Sequence, residues 1–177
     1  MKKIARLVSI LFLLFPLTVK AQQPAQPDSL LNRLTGKWIL TGTIEGKSTV
    51  HDVSVKRVLG GQYIELTETS REVDQKGSPQ YEAIVYLCWE EPKKQYSCLW
   101  LDNTGNGGLS NGIVGRAGFD GDKIELVFKY NDNVQFHTTF AYNGKTGTWQ
   151  WLMDGVEKGK TQPFARLSMT RTISTVR

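Results

Sequence analysis

The chain has 177 residues, with 22 lysines and arginines against 17 aspartates and glutamates, two histidines, two cysteines and a formal net charge of +5. Lys2, Lys3, Arg6 and Lys20 all lie in the first 21 residues, which hold no acid, so the remainder is nearly neutral. A nearly neutral domain gives no electrostatic reason to expect nucleic acid or an anionic membrane as a partner.

Lys2, Lys3 and Arg6 precede an apolar run from Leu7 to Leu17, and Val19 and Ala21 place small residues before a cut ahead of Gln22. The pattern predicts a signal peptide over 1–21 and a periplasmic or secreted mature protein. A membrane anchor fits less well, because Pro16 breaks a run shorter than the ~20 apolar residues a spanning helix needs. Residues 22–27, QQPAQP, read as a linker, and 28–177 as a single domain with one core.

DSLLNRL then predicts a short helix over 28–35. Asp28 or Ser29 can cap its first turn, and Leu30, Leu31 and Leu34 share a face. From Lys37 the hydrophobic period changes to two, with turn signals about every ten residues. Ten strands are expected: KWILTGTIE, TVHDVSVKRVL, QYIELTETSREV, YEAIVYLCWE, QYSCLWLD, LSNGIVGRAGF, KIELVFKY, VQFHTTFAY, TWQWLMD and PFARLSMTR. With no crossover helix between them, these strands form an antiparallel meander, which protects its edges best by closing on itself. The fold class is therefore all-β: an antiparallel up-and-down barrel of about ten strands with a short N-terminal helix. Ten strands leave somewhat more interior room than eight, enough for a small-molecule cavity.

Ile124, Leu126, Phe128 and Tyr130 alternate with Glu125 and Lys129, and Val134, Phe136, Phe140 and Tyr142 alternate with Gln135 and His137. These rows face inward in a barrel surrounded by water and outward in a lipid-embedded one. The water-surrounded reading is preferred because the last strand ends in Met169, Thr170 and Arg171 and carries no aromatic girdle.

Both cysteines lie in one hairpin. If Pro92, Lys93 and Lys94 form its turn, Cys88 faces Cys98, Tyr86 faces Trp100 and Ile84 faces Asp102. Opposed residues of an antiparallel pair lie within disulfide reach, and an oxidising compartment favours the bridge. A redox-active or metal-binding pair is the alternative, disfavoured by the missing CxxC spacing. Val85, Leu87, Leu99 and Leu101 line the hairpin's other side, so both faces are apolar. One fills the barrel, and the N-terminal helix or a second protomer covers the other. Which of the two points inward is left open. Tyr86, Trp100 and Asp102 combine apolar bodies with polar tips and could form the rim of a ligand cavity.

No GxSxG, HExxH, P-loop or paired-cysteine zinc motif occurs. No catalytic residue and no metal ligand is assigned. Haem would need an inward histidine. His137 should point outward, whereas His51 shares a side with Val53 and Val55, where a satisfied or rim histidine is preferred over a haem ligand. Glu65, beside Tyr63 and Thr67, and Asp102, beside Trp100, are the carboxylates an enzyme would use if their sides face inward.

Gly36 and Trp38 in LTGKW, the stretch VLGGQYIELTE, and the hairpin ending in Trp100, Asp102, Gly105 and Gly107 resemble a secreted bacterial lipocalin-like family of unknown function. The resemblance spans about residues 34–171. It departs at Cys88, Trp89 and Glu90, where the family often has Gly-Tyr-Asp. The wider calycin-type group implies a barrel closed at one end by the helix, with Trp38 of the first strand packed against Arg171, or Arg166, of the last. Cys88, Cys98, Trp38 and Arg171 are thus expected to be structural. The aromatic rows and the expected cavity point to a carrier or sensor for a small hydrophobic or amphipathic ligand, and no resident cofactor is expected. The expected cavity residues are Tyr63, Glu65, Tyr86, Trp100 and Asp102 together with Phe128, Phe136 and Phe140. The alternatives are a homodimerising interaction barrel and a small-molecule enzyme.

Overall fold

A computed structural model describes residues 27–105 and 113–172. The expected signal peptide, all of the linker but Pro27, residues 109–112 of the sixth expected strand, and Gly107 lie outside the described residues.

The helix α1 spans Pro27–Leu34, and ten strands follow: β1 Gly36–Ile44, β2 Lys47–Val58, β3 Tyr63–Ser70, β4 Glu82–Glu90, β5 Gln95–Asp102, β6 Val114–Gly118, β7 Lys123–Lys129, β8 Val134–Asn143, β9 Thr148–Glu157 and β10 Lys160–Arg171. Every neighbouring pair is antiparallel, and β1 pairs with both β2 and β10, so the sheet is a closed barrel. Among the described residues closure leaves no free edge strand to template aggregation. Each strand contributes alternate side chains to the interior. Trp38 and Leu40 of β1, Ile64 and Leu66 of β3, and Ile124 and Leu126 of β7 are all buried. The opposite positions carry Lys56, Glu65, Glu125 and Arg166. The apolar rows therefore point inward.

α1 plugs the end of the barrel where β1 begins. Leu30, Leu31 and Leu34 are buried against the wall. Its terminal carbonyls, which have no partner within the helix, are taken up by the residues beneath. Thr35 donates to the Asn32 carbonyl, Arg171 Nη2 to Arg33 at 3.3 Å, and Trp38 Nε1 to Leu34 at 2.8 Å. At the other end of the helix the Tyr96 hydroxyl donates to the Pro27 carbonyl, and Arg57 bonds Asp28 and Asn32. The plug is thus tied to β1, β2, β5 and β10.

The expected cysteine bridge is absent. The β4–β5 register pairs Glu90 with Gln95, Leu87 with Cys98 and Cys88 with Ser97, and both cysteines are free thiols. The connection is four residues long, a helical turn over Glu91–Lys93 followed by Lys94 in the left-handed region at φ 51°. A three-residue turn was expected, and a slip of one residue moves every side chain to the other face. Cys98 is accordingly buried in the interior with Leu87, while Cys88 sits on the outer wall. The expected pairs Tyr86–Trp100 and Ile84–Asp102 fail for the same reason. Tyr86 lies across from Leu99, Trp100 from Val85 and Asp102 from Ala83. On the hairpin's outer face Ile84 is 44% exposed.

Candidate functional site

Opposite the plug the barrel opens into a cavity of about 1000 Å³. Its walls are aromatic: Tyr81, Trp100, Phe128, Tyr130, Phe136 and Phe164 all reach it. Trp100 packs edge-on against both Phe128 and Trp151, and Phe140 lies 4.6 Å from Trp151, giving an aromatic layer across the barrel's middle. The outer end of the Phe128 ring packs against β6, where a glycine leaves room for it. A Cβ on Gly115 would stand 2.6 Å from the ring.

A polar cluster interrupts this apolar lining. His51 of β2 and Glu68 of β3 point inward from neighbouring strands, each 2% exposed, with His51 Nδ1 2.5 Å from Glu68 Oε1. His51 Nε2 lies 2.7 Å from the Thr49 hydroxyl, which donates to Glu72 Oε2 at 3.1 Å. Glu72 Oε1 accepts the Val50 N–H at 3.2 Å. Although burial pulls the Glu72 carboxyl upward, the backbone N–H groups and the Thr49 hydroxyl hold it below the ordinary glutamate range. It is thus an ionised acceptor, and the single Thr49 proton points to it. Thr49 then accepts from His51 Nε2–H, which leaves one proton shared between Nδ1 and Glu68. Burial pushes the Glu68 carboxyl up, opposed by its bond to His51.

With that proton on the Oε1 side, Glu68 Oε2 is an acceptor, and it has no partner among the described residues. Trp149 Nε1 and Trp151 Nε1 are likewise unpartnered, but they sit in the core, whereas Glu68 borders the cavity. Tyr81 stacks on His51 with ring centroids 5.8 Å apart, and its hydroxyl accepts from Trp100 Nε1 at 3.1 Å. Burial and the nearby Glu68 charge raise the Tyr81 phenol far above its ordinary value, so it stays protonated. The buried Thr138 of β8 adds to the polar lining. The cluster can hold a proton, accept a hydrogen bond at Glu68 and present a phenol, all within aromatic walls.

The structure divides the residues expected to line the cavity. Trp100, Asp102, Phe128 and Phe136 border it. Phe140 is buried in the aromatic layer and is not part of the lining. Tyr63, Glu65 and Tyr86 stand on the outer wall, where Glu65 bonds Lys56 at 2.8 Å and accepts the Tyr86 hydroxyl at 3.0 Å. Ile64 and Leu66 claim the interior of β3, and period two then excludes Tyr63 and Glu65. Asp102 sits at the mouth and ties down its own turn, accepting from Thr104 N–H, the Thr104 hydroxyl and Gly105 N–H. His137 lies on the outer wall near Gln135 and Glu125. Sequence reasoning missed Glu68, Tyr81, Thr49 and Thr138. For Glu68 a signal existed, since the apolar row Ile64 and Leu66 continues onto it. Among the described residues no group of three His, Cys, Asp or Glu side chains is placed to hold a metal ion.

No family model matches this chain, and no curated protein does. A solved structure does: the crystal structure of Rv2717c from M. tuberculosis superposes with a TM-score of 0.58, covering 84% of this chain and 99% of that one at 16% identity. At that identity the likeness shows the fold alone, a calycin-like barrel.

Proposed function

We propose that this protein binds a small hydrophobic or amphipathic molecule in the open end of the barrel, in the periplasm or outside the cell after signal cleavage. The observation that carries the reading is the cavity of about 1000 Å³, aromatic in its walls, with a few convergent polar groups at Glu68, His51 and Tyr81. Ligand pockets are concave, mostly apolar and fixed in specificity by a small number of such groups. The near-neutral charge of the mature segment supports a small-molecule partner over nucleic acid. The charged outer wall supports a barrel that stands in water instead of lipid.

The test is native mass spectrometry of protein purified from its own cells, beside the same sample denatured. A retained small-molecule mass, lost on denaturation, is expected. The bare chain mass in both spectra, together with no saturable uptake of apolar compounds, would overturn the reading. The N-terminal residue in the same spectra tests export, with Gln22 expected.

A further inference from the structure

The free oxygen of Glu68 narrows the chemistry of the ligand. A buried acceptor without a partner is costly, and Glu68 cannot turn it away. Its other oxygen is fixed by His51, His51 by Thr49, and Thr49 by Glu72. Strand pairing of Val53 with Glu68 and of His51 with Ser70 keeps both side chains on the inner face. The site is thus built for a hydrogen-bond donor.

Charge then separates the donors. Glu45, Glu72 and Asp102 border the cavity as acids beside the His51–Glu68 pair, which shares one proton and is neutral overall; among the described residues the formal cation there is Lys47, which is exposed at the mouth, and no arginine lines it. A carboxylate or phosphate head would meet repulsion from these acids and no buried cation. An ammonium would meet the Glu68 oxygen within aromatic walls, both of which favour a cation.

We propose that the cavity takes a ligand carrying a primary or secondary amine, as its ammonium, on an apolar body, with the nitrogen donating to Glu68 Oε2. This rests on the cavity being a binding site, and deepens that reading. His51 acts as a positioning residue, holding the carboxylate so that one oxygen faces the ligand.

The experiment is calorimetric titration of the whole protein with octylamine, octanol and octanoate, which share one apolar tail. The amine is expected to bind roughly tenfold or more tighter than the alcohol, and the carboxylate more weakly than either. Glu68→Gln is expected to remove the amine's advantage, so that amine and alcohol bind within about threefold of each other; cooperative thermal unfolding shows that the variant is folded. An amine no tighter than the alcohol in the unaltered protein, or an amine preference that survives Glu68→Gln, overturns the proposal and leaves the cavity reading intact. No binding of any of the three overturns both.

Discussion

The guanidinium of Arg171 lies over the ring of Trp38, 4.3 Å from its centroid, directly across the β1–β10 seam that closes the barrel. The same group donates to the last turn of α1. One side chain therefore joins the first strand, the last strand and the plug. Gly36 makes room for it: a Cβ there would stand 2.4 Å from Arg171 Nη1, at a φ of 133° that side chains rarely adopt. The glycine two residues before the tryptophan is thus part of the stacking arrangement.

Arg171→Ala should lower unfolding stability by about 1 kcal/mol, the size of a partly exposed cation–π contact. Gly36→Ala should cost at least as much, through both the clash and the backbone strain. In the double variant the clash disappears, so the losses should be less than additive in urea unfolding. Strict additivity would contradict the contact.

Cys88 and Cys98 should remain thiols even in protein from an oxidising compartment, because they face opposite sides of the wall. Burial raises both thiols above the ordinary range, and Cys98 far above it. Alkylation of the native protein should therefore be slow at Cys88 and absent at Cys98. After denaturation without reductant, both should label. A mass short by two hydrogens, with a linked peptide, would refute the register.

Gly115→Val should drive the Phe128 ring off the wall and toward the cavity, since even a Cβ would lie 2.6 Å from it. A destabilisation of about 1–3 kcal/mol is expected from such overpacking, with weaker binding of apolar ligands. Unfolding and titration of the same variant check both.

The turn that set the hairpin register also contributes to acid sensitivity. Lys93 and Ser97 bond the Glu90 carboxyl and hold its pKa down to about 2, against an ordinary 4.5. A carboxylate lowered on folding stabilises the protein above its unfolded value, and that contribution is lost as pH falls through the folded one. Thermal unfolding should show a decline between pH 4.5 and about 2 that flattens in Glu90→Gln. An unchanged acid limb would contradict the assignment.

The strands and the short helix were legible in the sequence, because period two, turn residues and an apolar helix face are local signals; the helix as a plug and the Trp38–Arg171 stack were implied by the family resemblance. The hairpin register was not. It depended on whether Lys94 takes a left-handed conformation, which nothing in EPKK dictates. The candidate site was half legible. Phe128 and Phe136 follow from alternation on their own strands, whereas Trp100 and Asp102 stand on a hairpin with two apolar faces, whose inward side alternation did not decide. Glu68 follows only if the row of Ile64 and Leu66 is continued through a charged residue. Its meeting with His51 depends on the pairing of β2 with β3, and that of Trp100 with Tyr81 depends on the path of the chain leading into β4. Neither is written in any single segment.

The central claim is that the open end of the barrel is a binding cavity. Titration with phenylnaphthylamine, a neutral apolar dye that brightens away from water, tests it in the unaltered protein and in Thr138→Trp, which places a large ring where a buried threonine lines the cavity. Saturable brightening in the first, abolished in the second while its thermal unfolding stays cooperative, is the predicted result. No saturable brightening in the unaltered protein, or equal brightening in both, would contradict the account.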